Sequence, residues 1–193
     1  MRKHHIARSR HGRRLPVVLA ITMLATAGAH AQEKAPEAAC GVETIGTGKV
    51  RRVLDGRTIQ LEVGQLVYLA AIEVPSLPLP REAGPQAKAG PAAKSALEAI
   101  LAGKTITLKK LGPDTDRYGR ILAHVFIDGQ QNSVQQEMLA RGYARVGSDI
   151  GAPLCAAALF AAEITARTRS VGLWSDPYYV IQRAEEPVKV LGA

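Results

Sequence analysis

Between Gly48 and Ile72 the chain carries three short strand-like segments separated by two turn signals, a spacing that leaves room for little but a meander of antiparallel strands. Lys49 to Leu54 runs into Asp55-Gly56. Thr58 to Val63 then alternates polar and apolar residues with β-branched enrichment. Gly64-Gln65 turns the chain again, and Leu66 to Ile72 is an almost continuous apolar run.

Two more strands follow at a distance. Thr105 to Leu108 is the fourth, and Ile121 to Ile127, closed by Asp128-Gly129, is the fifth. Helices are expected over 92–101, 134–141 and 153–169. Ala96, Leu97, Ile100 and Leu101 share one face of the first, and Gly103 and Gly142 stop the first two. Pro153 suits the first turn of the third. Residues 75–91, with prolines at 75, 78, 80, 85 and 91, read as a loop. The order β-β-β-α-β-β-α-α predicts an α+β domain, mainly β: a five-stranded barrel of the OB type with three helices packed on it.

Ahead of the strands, Met1 to Arg14 carries six basic residues and no acid, Leu15 to Gly28 is apolar, and Ala29-His30-Ala31 ends small-x-small before Gln32. These parts predict a secretory signal peptide, because the apolar run is shorter than the roughly 20 residues of a spanning helix. The expected organisation is a signal peptide over 1–31, a flexible mature N-terminus over 32–46, one domain over 47–175 and a tail over 176–193. Export to a periplasm or the exterior is expected, with no membrane span after cleavage. Losing the leader takes the formal charge from +8 to +2, so the basic balance is mostly a targeting signal. Only His124 of the histidines remains, which argues against a histidine-based triad. Cys40 and Cys155, an even pair in an exported chain, predict a disulfide. Neither has a Cys or His close by in sequence that would complete a zinc site.

Thr115-Asp116-Arg117-Tyr118-Gly119-Arg120 resembles the D-x-Y-G-R segment of the staphylococcal nuclease (thermonuclease) family. Val53 to Ile59 is similar to its V-x-D-G-D-T-[IV] segment, and Leu69 to Pro75 to L-x-G-I-D-A-P. Leu139 to Val146 and the closing Gly172-Leu173-Trp174 continue the likeness in the same order, so that it covers about Gly48 to Trp174. The resemblance implies the family's OB-fold.

It also implies a site. Members that cut nucleic acid use a calcium ion, a carboxylate base and two arginines. The ion and the arginines offset phosphate charge, and the base takes a proton from water. By the resemblance, Arg57 stands where the first metal carboxylate belongs, Tyr68 where the first phosphate arginine belongs, and Ser76 where the base belongs. Glu73 falls at the second metal carboxylate and retains an oxygen ligand, while Arg120 matches the second arginine. Tyr118 matches a residue that helps hold phosphate, and Ser148 and Ile150 fall where base-stacking aromatics stand. Asp55 is expected to shape its turn, and Arg57 and Glu73 to pair across the old metal site. The function implied is an exported, non-catalytic domain that binds a ligand, a nucleic acid or a partner, with no cofactor. The alternative is a calcium-dependent phosphodiesterase acting on extracellular DNA or RNA. A monomer is expected. The sequence does not specify the partner. Nucleic acid is a candidate, with Lys49, Arg51, Arg52, Lys109 and Lys110 as its basic face.

Overall fold

The computed structural model describes residues 40–41, 43–110, 115–147 and 153–180. Contacts divide the chain between Lys34 and Ala35, and every described residue lies in the second unit. The expected signal peptide, Ser148, Ile150 and the tail beyond Val180 lie outside the described residues. No helix among the described residues is long and apolar enough to cross a membrane.

Five strands close into a barrel: β1 (Glu43–Val53), β2 (Thr58–Leu61), β3 (Leu66–Leu69), β6 (Ile121–Ile127) and β5 (Thr105–Lys110), in the order β1-β2-β3-β6-β5. All neighbours are antiparallel except β3 and β6, which run parallel with Val67 opposite Ile121. Alternation drives the closure. Ile59, Leu61, Val67, Leu69, Ile106 and Val125 are each at most 1% exposed. Each such burial contributes about 1.5–3 kcal/mol. This is the α+β barrel that the element order predicted.

The differences from the sequence reading are local. β1 begins at Glu43, inside the stretch read as a flexible N-terminus, and Cys40 before it is buried. Its first residues are exposed or half-buried and carry no apolar alternation, so only pairing with β5 makes them a strand. The run from Leu66 to Ile72 is broken: β3 stops at Leu69, Ala71 takes a φ of 63°, and β4 (Ile72–Glu73) pairs with β7 (Arg145–Val146) instead. Helix α1 is longer than expected, Pro85–Leu101, and takes up residues 85–91 of the proline-rich loop. Pro85 lies in its first turn, where the missing N–H costs nothing. Pro91 sits inside the helix on its exposed side, and burial of Ala93, Leu97 and Leu101 outweighs the lost hydrogen bond. A further short helix, α4 (Pro177–Val180), lies in the stretch read as a tail.

Helix α2 (Val134–Ala140) starts with a capping box in which the Ser133 side chain and Gln136 serve each other's backbone N–H groups. Gly142 ends it at a φ of 74°, and the 3₁₀ turn Gly172–Ser175 docks there, Leu173 N–H donating to the Gly142 carbonyl. Buried Gln135 ties α2 to β6: its Oε1 accepts from Val125 N–H and its Nε2 donates to the Ala123 carbonyl.

Helix α3 (Pro153–Arg169) is held to the barrel by a disulfide between Cys40 and Cys155. The alternation of β6 sends His124 to the face opposite Ala123 and Val125. There it is fully buried beside the cysteines, and burial lowers its pKa to about 4. The imidazole is therefore neutral.

Candidate functional site

The Asp55-Gly56 turn places the first group. Asp55 Oδ1 accepts from Arg57 N–H at 2.8 Å, a side chain closing its own turn. The turn lifts the Arg57 side chain over β3. There its Nη1 donates to the Ile72 carbonyl at 2.6 Å, and its guanidinium carbon lies 3.8 Å from the centre of the Tyr68 ring. Tyr68 is fixed by the barrel register, opposite Thr58 on β2 and Leu122 on β6.

The loop before β6 places the second group. The Asp116 carboxylate accepts from Tyr118 N–H and Arg120 N–H, and holds the Arg120 guanidinium through Nε at 2.7 Å and Nη2 at 2.6 Å. Burial raises the Asp116 pKa, but these hydrogen bonds and the adjacent guanidinium outweigh it and hold the carboxyl below its ordinary value. Arg120 so held lies 3.9 Å from the Tyr68 ring centre and 5.2 Å from that of Tyr118. Arg117 lies 4.8 Å from the Tyr118 ring. Guanidiniums and phenols therefore alternate in one chain of contacts: Arg57, Tyr68, Arg120, Tyr118, Arg117. Its inner end is half-buried, and Tyr118 near its outer end is 66% exposed.

A cleft of about 470 Å³ opens on this chain. Asp55, Arg57, Tyr68, Glu73, Ser76 and Arg120 all line it. Glu73, on β4, is exposed at its edge. The ion pair expected between Arg57 and Glu73 does not form among the described residues. Arg57 instead reaches the backbone carbonyl of the neighbouring Ile72, with Glu73 close enough to act on it through space. Burial lowers the Arg57 pKa, and the charges of Glu73 and Asp55 offset part of that. A guanidinium keeps its charge under such a shift. Glu82 does not line the cleft, and its carboxylate accepts from Leu79 N–H within its own loop.

Calcium does not suit these donors. It takes six to eight oxygen ligands. Here the Arg57 guanidinium lines the same cleft as the two carboxylates, Asp55 and Glu73, and feels the charge of both, and one Asp55 oxygen already serves the turn.

Residue 76 is positioned by a glycine. A Cβ added at Gly90 of α1 would meet the Ser76 carbonyl oxygen at 1.9 Å, so the cleft loop rests directly on the helix backbone. Gly90→Val is expected to push residues 76 and 77 off the helix and to destabilise the fold by about 1–3 kcal/mol. Urea denaturation together with amide hydrogen exchange on residues 74–79 checks it.

The expected basic face is divided. Lys109 lies opposite Thr44 and Lys49 opposite Thr105. Lys109 and Arg51 are thus separated by seven positions of β1, roughly 23 Å. Lys49 pairs with Glu62, Arg52 binds Gln60, and Lys109 lies over Phe126.

Arg117 and Asp116 belong to the site although neither was singled out in the sequence. The signal was present in Asp116-Arg117-Tyr118-Gly119-Arg120, where two arginines flank a tyrosine. That Asp116 clamps Arg120 requires the folded loop.

A family model described as staphylococcal nuclease homologue matches residues 67–176, beginning inside β3. An uncharacterized protein of Bacillus anthracis is 33% identical over 149 residues, which is 74% of this chain and 67% of that protein. An uncharacterized protein of Methanocaldococcus jannaschii is 31% identical over 120 residues, 51% of this chain and 58% of that protein.

Proposed function

Because the chain belongs to the staphylococcal nuclease homologue family, we propose that it is an exported, non-cleaving member that binds single-stranded nucleic acid through its barrel cleft without a metal ion. The alternating chain from Arg57 to Arg117 carries this reading. Guanidiniums hydrogen-bond phosphate oxygens, and an exposed tyrosine offers a face on which any base stacks. The disulfide and the basic, apolar leader support export.

The same residues argue against hydrolysis. Ser76 lines the cleft but is a poor base at neutral pH, so residue 76 does not take a proton from water. Arg57 occupies the ground a divalent ion would need.

Binding is expected to be weak. Arg57, Arg117 and Arg120 are balanced by Asp55, Glu73 and Asp116, so stacking rather than a net field supplies the affinity. Fluorescence anisotropy with a labelled single-stranded oligonucleotide in EDTA should give a Kd on the order of 10⁻⁴–10⁻⁵ M at physiological salt. Tyr118→Ala should weaken it about tenfold, the loss of one stacked base. Binding that needs calcium, or that Tyr118→Ala leaves unchanged, contradicts the reading.

A further inference from the structure

The disulfide is not an isolated cross-link. Cys40, His124 and Cys155 each offer a ligand atom, and the three atoms lie within 4.8 Å of one another. The residues are 2%, 0% and 0% exposed. His124 Nε2 faces Cys155 Sγ at 3.7 Å, while its Nδ1 is buried without a hydrogen-bond partner. A buried imidazole normally has partners for both nitrogens. Here one nitrogen meets sulfur and the other nothing, in a position where an aliphatic side chain would fill the same space at less cost.

We propose that reduction of the Cys40–Cys155 disulfide creates a buried Cys₂His site for zinc or another thiophilic divalent ion, with His124 Nε2 as the third ligand. A dithiol reductant supplies two electrons and two protons, the S–S bond breaks, and the reductant closes to its own disulfide. The ion then displaces both thiol protons to solvent, and two metal–sulfur bonds and one metal–nitrogen bond form. The imidazole contributes a lone pair and gives up no proton. Metal–ligand lengths of about 2.3 Å to sulfur and about 2.0 Å to nitrogen place two ligands of one ion roughly 3.5 Å apart. The observed nitrogen–sulfur separation of 3.7 Å is already close to that value. The two sulfurs must part and the Cys40 sulfur must settle beside the same ion, by rotation of the cysteine side chains, with all three ligand atoms already within 4.8 Å of one another. Three protein ligands leave the fourth position to water or a small anion.

The site has a structural consequence. Cys40 precedes β1, His124 lies on β6 and Cys155 lies in the first turn of α3. A bound ion therefore restores the tie between helix and barrel that reduction removes. The two cysteines hold α3 in place under oxidising conditions, and the same two with His124 hold it through the ion under reducing ones.

The experiment uses the full chain, reduced with a non-chelating phosphine under argon, and cobalt(II) as the probe. One cobalt per chain is expected, with a thiolate-to-metal charge-transfer band, displacement by zinc and a rise in melting temperature over the reduced, metal-free chain. The unreduced protein should bind none. His124→Gln should lower affinity at least about 100-fold, since even groups that only support a ligand are worth 10–100-fold. Cys155→Ser should abolish the band. The proposal is overturned by absence of the band in the reduced chain or by equal affinity in His124→Gln. It is also overturned if cobalt binds only to chain that circular dichroism shows to be unfolded.

Discussion

Arg57→Asp, Tyr68→Arg and Ser76→Glu introduced together should give a protein that cleaves a labelled single-stranded oligonucleotide in calcium, at least about 10²-fold above background, whereas each change alone should give none. The three wild-type residues block different requirements. Arg57 holds a positive charge in the cleft that Asp55 and Glu73 also line. Replacing it with a carboxylate turns that ground into three neighbouring acids, a set that suits a hard cation. Ser76 lines the cleft but lacks a basic oxygen, and a positioned base contributes about 10²–10⁴ in rate. Tyr68 stands against Arg120, and an arginine there would face phosphate beside it. Groups that act as a unit lose activity together, so a single reversion leaves the barrier almost intact. A second readout needs no turnover: calcium should raise the melting temperature of the triple variant and leave the wild type unchanged.

Arg167→Ala should destabilise the fold by about 3–5 kcal/mol, lowering the melting temperature on the order of 10 °C. Glu163 is 3% exposed, yet its carboxylate has two partners: it accepts from Val146 N–H at the end of β7 and pairs with Arg167 one turn along α3. Arg167 in turn lies 4.4 Å from the Trp174 ring, so one buried acid joins α3, β7 and the closing 3₁₀ turn. Removing the arginine leaves a carboxylate stranded in the core, which costs more than the pair itself contributes. Glu163→Gln should restore part of the loss in an Arg167→Ala background, because the amide oxygen still accepts from Val146 without a charge to bury. Urea denaturation of the wild type and the two variants checks the order.

Much of the barrel was legible because alternation and turn residues encode it locally. Thr58–Leu61 needed only a period of two, and Ile121–Ile127 only a short, mostly apolar run closed by a turn. Three features were not legible. Ala71 adopts a left-handed conformation that its side chain does not announce, so the break between β3 and β4 was invisible. The start of α1 was hidden by prolines, and Pro91 is tolerated only because the opposite face is buried. Residues 43–46 become a strand through partners some sixty positions away on β5. The site divides in the same way. Arg57, Tyr68, Glu73, Ser76 and Arg120 could be named from motif positions. Their contacts depend on strand register and on the Asp116 clamp, and no local pattern contains those. His124 lies 31 residues from Cys155 in sequence and 3.7 Å from its sulfur in space, which spacing rules for metal ligands do not detect.

The most direct measurement is a cleavage assay on the wild-type protein with single- and double-stranded DNA and RNA, in calcium and in EDTA. The account predicts intact substrate in both, with the single-stranded oligonucleotide bound equally well with and without the ion. Calcium-dependent, EDTA-sensitive cleavage that disappears in Arg120→Ala would contradict it and make the cleft a working phosphodiesterase.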